Sequence, residues 1–354
     1  MKKINSLGYD VVFDNELNEL QSFLIDHDYS QLLILVDRNT NDHCLPVIQA
    51  AIPDIVDYDI IEVDPGEENK NIDFCIGVWK TMLDFGADRK ALMMNLGGGV
   101  VTDMGGFAAS TYKRGIDFLN VPTTLLSQVD ASVGGKTGID LDNVKNIIGT
   151  FSQPKAVFIS NKFLETLDDR QILSGFAEVI KHGLIKDKDL FIRCKSVILP
   201  EIPEGLVYES VVIKNSVITE DPTEKGIRKI LNFGHTIGHA IEGYSLVNDV
   251  NPLLHGEAIT IGMVCEAYLS YKFNNLEKSE LDEIVSYLQS IYPSYQLNSA
   301  IYPELLDLMK NDKKNEGNKL GFALLRSIGD CDFNKFVEED AIVESLDFYQ
   351  TLTK

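Results

Sequence analysis

The chain has 354 residues, 44% hydrophobic and 24% charged, a globular composition with material for roughly two domains at about 150 residues each. Its net charge of −22, from 54 acidic and 32 basic residues, argues against nucleic acid or an anionic membrane as the main partner. No apolar run approaches the roughly 18 residues of a membrane span.

The N-terminal stretch MKKINSLGYDVVFDNEL reaches Asp10 and Asp14 without an apolar core, so no signal peptide is read. Five scattered cysteines without a CxxC pair fit free thiols, and a cytoplasmic location is expected. QLLILVD, residues 31–37, reads as a buried strand ending at Asp37. NIDFCIGVWKTMLDFGA (71–87) reads as a helix. ALMMNLGGG (91–99), DFLNVPTT (117–124) and KAVFIS (155–160) read as further strands. Strands alternating with helices predict a parallel, helix-covered α/β sheet over residues 1–160, a Rossmann-like architecture. Beyond it the pattern turns helical. DRQILSGFAEVIKHGLIKD (169–187) carries an apolar stripe through Leu173, Phe176, Ala177, Ile180 and Leu184. SVVIKNSVITED, HTIGHAIEGY, HGEAITIGMVCEAYLSYKF and SELDEIVSYLQSIY continue in the same manner. A mostly α-helical second domain is expected over 161–354, with no internal repeat.

GGGVVTDMGG (97–106) follows a strand and precedes a helix, where glycines let backbone approach a phosphate. It lacks the GxGxxG spacing, and a tight strand–helix turn explains it as well. Asp37 is placed either as a ribose partner or as a helix cap. VDASVGGKTGID (129–140) fails as a P-loop, because Asp130 stands where the first glycine should be. Lys136 still lies between glycines and could hold a phosphate as a point charge.

His235 and His239 stand four apart, on one helix face. The spacing is that of a zinc helix, but Thr236 replaces the acid that should follow the first histidine. His255 lies where a loop enters a helix, and Glu178 sits among Phe176, Ala177, Val179 and Ile180. Burying such a carboxylate is costly, and metal ligation would satisfy it. Two histidines, that glutamate and a further His–Gly–Glu favour a metal site, which at a catalytic centre keeps one position open. Lys136, Lys145, Lys181, Lys214, Arg228 and Lys313–Lys314 each adjoin one of these motifs. In so acidic a chain they suggest an anionic substrate, with solvated helix faces as the plain alternative.

The segments GGGVVTDMGGFAASTYKRGIDFLNVPTTLLSQVDASVGGKTGIDLDNVKNIIGTF, GFAEVIKHG, ILNFGHTIGHAIE, LLHGEAITIGM and DKKNEG resemble the 3-dehydroquinate synthase family. The resemblance runs in order over about residues 30–330. It implies an N-terminal nucleotide-binding α/β domain and a helical metal-binding domain, with the active site in the cleft. It implies zinc, or cobalt, on Glu178, His235 and His255. It implies NAD at Asp37, Asn39, Glu67, Lys70, Gly98, Gly99, Val100, Asp103, Thr123, Thr124, Lys145 and Thr166. Thr102 replaces a glycine usual in that motif, a small change that should leave cofactor binding intact. Substrate contacts are implied for Asp130, Lys136, Asn146, Lys181, Lys214, Arg228, Asn232, His239 and Lys314. A homodimer is implied, with Arg114 reaching the partner's site.

The implied substrate is the anionic sugar phosphate 3-deoxy-D-arabino-heptulosonate 7-phosphate. Three rivals remain: a cyclase whose substrate lacks the carboxylate, a metal-dependent polyol dehydrogenase, and a non-catalytic metal- or nucleotide-binding protein. Arg228, suited to a carboxylate, disfavours the first. The phosphate-binding set around VGGKTG disfavours the second. The absence of gaps among the site residues disfavours the third.

Overall fold

Leu32–Val36 is buried throughout because both faces of its strand are covered. Leu32, Ile34 and Val36 pack into one core with Leu20, Leu24, Leu45 and Ile48. Leu33 and Leu35 point the other way, into a core with Cys75, Val78, Met82, Val101 and Met104. The strand period of two thus builds the three layers that the alternating pattern predicts. The structure, a computed structural model, describes residues 2–52, 56–141, 144–310 and 320–353.

The chain divides into two compact units, Met1–Asp168 and Asp169–Lys354. Residues 161–168 go with the first, where Phe163 joins a sheet core. That unit's sheet uses β1 (Lys2–Asn5), β2 (Asp10–Phe13), β3 (Leu32–Asp37), β4 (Tyr58–Val63), β5 (Leu92–Gly97) and β6 (Asp117–Pro122). A hairpin, β7 (Lys136–Leu141) and β8 (Val144–Phe151), precedes the last sheet strand, β9 (Ala156–Ile159). The sheet order is β1-β2-β9-β6-β5-β3-β4. All neighbours are parallel except β1 and β2. Helices α1 (Asn18–Asp26), α2 (Arg38–His43), α3 (Leu45–Ala51), α4 (Ile72–Asp84) and α5 (Gly99–Thr111) cover it. Lys136, expected in a loop, instead opens β7.

The second unit holds α6 (Asp169–Lys186), α7 (Lys188–Cys194), α8 (Glu204–Glu220), α9 (His235–Asn248) and α10 (His255–Phe273). It continues with α11 (Lys278–Ile291), α12 (Tyr302–Lys310) and α13 (Glu339–Leu352). Between the last two lies an antiparallel pair, β10 (Leu320–Ser327) and β11 (Asp330–Val337). The helical pattern did not announce this hairpin, whose turn uses Gly329 at φ +93°. Among the described residues no helix is long and apolar enough to cross a membrane. All five cysteines are buried free thiols.

Helices α9 and α10 run antiparallel, backbone close to backbone. A Cβ on Gly238 would lie 2.8 Å from Ile259 Cδ1 and 3.0 Å from its Cα. A Cβ on Gly262 would fall on the Gly234 carbonyl oxygen. That oxygen is backbone and has nowhere to go. Gly262→Ala should therefore lower stability by about 1–3 kcal/mol, as overpacking does. A reduced urea midpoint is expected, and an unchanged one would show that the helices part freely.

Candidate active site

The second unit assembles a donor cluster from three helices. Glu178, on α6, is fully buried, and its Oε1 lies 3.6 Å from Nε2 of His235 and 3.6 Å from Nε2 of His255. All three ligand atoms fall within 4.8 Å of one another. These separations are too long for hydrogen bonds. Ligands held at about 2.0–2.1 Å around a tetrahedral ion stand roughly 3.4 Å apart, so the spacing suits one shared cation.

Each histidine is fixed from behind. His235 Nδ1 donates to the Phe233 carbonyl at 3.1 Å, which leaves Nε2 as the ligand nitrogen. His255 Nδ1 lies 3.3 Å from Oε2 of Glu242. Burial holds the His235 imidazole well below its ordinary pKa, with Lys181 adding to the effect, so it stays in the neutral form a metal requires. Burial also disfavours charge on His255, but Glu242 and Glu178 outweigh it and push its pKa up to about 9. The pocket between these two carboxylates thus favours one positive charge, the preference a bound cation satisfies.

Local folding explains the convergence. Gly234, at φ +80°, turns the chain into α9 without a side-chain cap. The buried carboxylate of Glu266, on α10, accepts instead from the N–H groups of Gly234 (2.6 Å) and Ile237 (3.2 Å). A Cβ on Gly256 would strike the Ser174 carbonyl, so glycine lets α10 close on α6 beside His255. His239 is partly exposed, its ring 5.0 Å from that of His235 and 5.8 Å from that of His255. It also belongs to a second possible donor set with Glu242 and His255.

The cations lie on neighbouring elements. Lys181 is buried and ion-paired with Glu178. Lys214 is buried on α8, which packs against α6 and against the short helical segment Ile227–Asn232. Arg228 is buried, and its guanidinium donates to the Pro222 carbonyl at 2.8 Å. Asn232 donates to Oε1 of Glu224 at 2.7 Å. Lys313, Lys314 and the DKKNEG motif lie outside the described residues.

In the first unit Asp37, Gly98, Thr123 and Thr124 fall at or just beyond the carboxyl ends of strands, while Asn39 lies in α2, Asp103 in α5, Lys145 in β8 and Thr166 in the segment Asn161–Thr166. Strand β3 pairs with β4 on one side and β5 on the other, so strand order reverses there. Such a switch point opens a crevice for a dinucleotide. Asp37 ends β3, Gly98 caps α5 beyond β5, and Thr123–Thr124 follow β6. Gly98, Gly99 and Val100 open α5 with no capping side chain, a helix end suited to phosphate. A Cβ on Gly98 would come within 3.0 Å of Thr124 Cγ2. Thr102 is buried, and its hydroxyl donates to the Gly98 carbonyl at 3.2 Å.

Asp37 caps α2, its Oδ1 accepting from Thr40 N–H at 2.8 Å, so the plain alternative raised for it is realised. Lys70 is buried and brings two segments together, donating to Asp103 (2.7 Å) and Asn146 (2.7 Å). Burial works against its charge, but Asp103, Glu67 and Asp140 outweigh it and raise its pKa. Lys145 pairs with Glu67 at 3.2 Å. Asn39 and Lys136 are exposed, Asp130 is half-buried, and Thr166 closes a short turn at Asn161–Thr166. Arg114 is exposed and held at φ 74°, after Lys113 at φ 48°.

Sequence reasoning missed Glu224, Glu242, Glu266 and Tyr9. Tyr9 accepts at its hydroxyl from Gly134 N–H (3.0 Å), steadying the loop before Lys136. Of the four, only Glu242 carried a signal: it lies two helical turns beyond His235, on the same face.

Residues 60–174 match the family described as 3-dehydroquinate synthase N-terminal, and 175–315 the one described as 3-dehydroquinate synthase C-terminal. The chain belongs to the 3-dehydroquinate synthase family. A 3-dehydroquinate synthase of Parabacteroides distasonis is 45% identical over 94% of this chain and 95% of its own length. One from Clostridium botulinum is 40% identical over 89% of each. Among solved structures, a 2-epi-5-epi-valiolone synthase of Streptomyces hygroscopicus, with NAD+ and Zn2+ bound, is 26% identical with a TM-score of 0.86 over 99% of both chains. A glycerol dehydrogenase of Schizosaccharomyces pombe, 13% identical over 99% of this chain and 91% of its own, shares the fold with a TM-score of 0.68.

Glu178→Ala and His255→Ala should each lose bound zinc, measured as metal content after dialysis. His239→Ala should retain it. Equal loss in all three variants would make His239, not His235, the histidine of the pair that binds the ion with Glu178 and His255.

Proposed function

We propose that the chain converts 3-deoxy-D-arabino-heptulosonate 7-phosphate to 3-dehydroquinate and phosphate, a carbon–oxygen lyase reaction of the shikimate pathway leading to chorismate and aromatic amino acids. The observation that carries this reading is the Glu178 carboxylate set 3.6 Å from two imidazole nitrogens, in a chain 45% identical to a curated synthase. Glu178, His235 and His255 would hold zinc or cobalt. The β3–β5–β6 strand ends and the open turn of α5 would hold NAD, with Glu67, Lys70, Asp103, Lys145 and Thr166. When bound, the metal would polarise the C4 and C5 hydroxyls, and NAD would accept the C5 hydride and later return it.

The protein's own groups position the substrate and its charges. Lys136, Asn146, Asn232 and His239 would hold the phosphate, and Lys314 would be a further substrate contact. Arg228 and Lys214 would clamp the carboxylate, a planar fork on a planar anion. Asp130 and Lys181 would contact the ring. A ketone at C5 acidifies the hydrogen at C6, so the C7–O bond breaks and phosphate leaves with the electron pair. The phosphate can itself take the C6 proton. Once C5 is an alcohol again, the ring opens and the new enol closes on the C2 ketone in an aldol step, which needs mainly a held conformer.

A cyclase for a carboxylate-free substrate is the second reading, favoured by the likeness to the valiolone synthase. The Arg228 guanidinium favours the first, since its planar fork suits a carboxylate that the second reading's substrate lacks. A cytoplasmic homodimer completes the proposal. Arg114, exposed on a backbone held at φ 74°, would act across the interface.

Activity should require NAD only in catalytic amounts, with phosphate released and no rise in NADH absorbance. Stoichiometric NADH would instead indicate a polyol dehydrogenase. For the dimer, inactive Arg114→Ala and Glu178→Ala chains should regain activity when mixed and allowed to exchange subunits. One site of each hybrid then keeps Glu178 and receives Arg114. Hybrids that form by mass but stay inactive would place Arg114 within its own subunit or outside catalysis.

A further inference from the structure

We infer that Glu242 is a positioning residue for the metal centre, holding His255 through Nδ1 so that Nε2 faces Glu178. The inference rests on the metal reading above and concerns a residue that reading does not use.

The contact register between α9 and α10 places it there. Moving along α9 in steps of four, Gly234 meets Met263, Gly238 meets Ile259, and Glu242 meets His255. The partners on α10 recede by the same helical step, as two antiparallel helices require. Glycine at 234 and 238 permits the approach, and the next position along that face is the carboxylate. Glu242 is buried, with 5% of its surface exposed. Its Oε2 stands 3.3 Å from His255 Nδ1, while the ring's other nitrogen stands 3.6 Å from Glu178 Oε1. A carboxylate thus faces each nitrogen of the imidazole. An acceptor at Nδ1 sets the tautomer, leaves Nε2 as the ligand nitrogen and raises its basicity. His235 reaches the same state with a backbone carbonyl behind it. The two ligand histidines therefore share one design, and Glu242 supplies the charged version.

One alternative uses the same residue differently. His239, Glu242 and His255 also lie close enough to hold an ion among themselves. Glu242 would then be a ligand, and His255 would bind through Nδ1.

The test measures zinc affinity of the full chain by chelator competition, and the visible spectrum of the cobalt-loaded chain. Variants are Glu242→Gln, Glu242→Ala and His239→Ala. Removing such an outer carboxylate should weaken zinc binding about 10–100-fold in Glu242→Ala. Glu242→Gln should lose less, because its amide oxygen still accepts from Nδ1–H. Cobalt bands should keep their positions in every variant, since the ligand set is unchanged. A purely structural role would lower the melting temperature and leave zinc affinity alone. Zinc affinity within twofold of the parent chain in both Glu242 variants overturns the inference. So do cobalt bands that shift in the Glu242 and His239 variants together, which would move the ion onto the alternative set. A parent chain that takes up no zinc overturns the metal centre itself, and with it the role of Glu242.

Discussion

The close approach of α9 and α10 is the constraint on which the second unit depends. Gly234, Gly238 and Gly262 remove the side chains that would hold these helices apart. Larger residues would widen the interaxial distance and draw His235 away from His255. Gly256 does the same for α10 against α6, which carries Glu178. Three helices thus meet at one point, and each contributes one donor. Glu266 adds the electrostatic part, a buried carboxylate at the amino end of α9 where the helix dipole is positive.

The first unit solves a different problem by a different device. Its sheet buries both faces, so little side-chain chemistry is available along the strands. Chemistry is confined to strand ends, where β3, β5 and β6 finish side by side. Glycines let backbone come close there, and the open turn of α5 offers amide groups to an anion. Lys70 ties this edge to the β7–β8 hairpin through Asp103 and Asn146. A buried lysine satisfied by two acceptors is a costly arrangement to assemble, and it fixes the hairpin's place. The same contact joins a residue proposed for the cofactor with one proposed for the substrate.

What the sequence made legible follows from period and cost. Strands β3, β5, β6 and β9 were readable as short apolar runs, and α6 as a stripe. Glu178 stood out because an acid among Phe176, Ala177, Val179 and Ile180 needs a reason to be buried. Strands β1 and β2 were hidden because KKIN is mostly polar and exposed and DVVF is a short run set between acids, whereas β9 is four apolar residues in a row. The β10–β11 pair was masked by helical surroundings. Contacts such as that of Glu266 with the Gly234 amide span α9 and α10, and a local pattern carries no trace of them. Asp37 illustrates a residue for which two roles share one position, because a helix cap and a strand-end ligand need the same carboxylate at the same place. Spacing alone does not separate His235 from His239, which share a helix face; the resemblance assigned them different roles, and in the structure Nε2 of His235 faces Glu178.

The most direct measurement is diffraction from zinc-loaded crystals on both sides of the zinc absorption edge. A single anomalous peak is expected, bonded to a carboxylate oxygen of Glu178 and to Nε2 of His235 and His255, with Glu242 behind His255 and not touching the ion. A peak bonded to His239 and Glu242, with Glu178 left to Lys181, would contradict it.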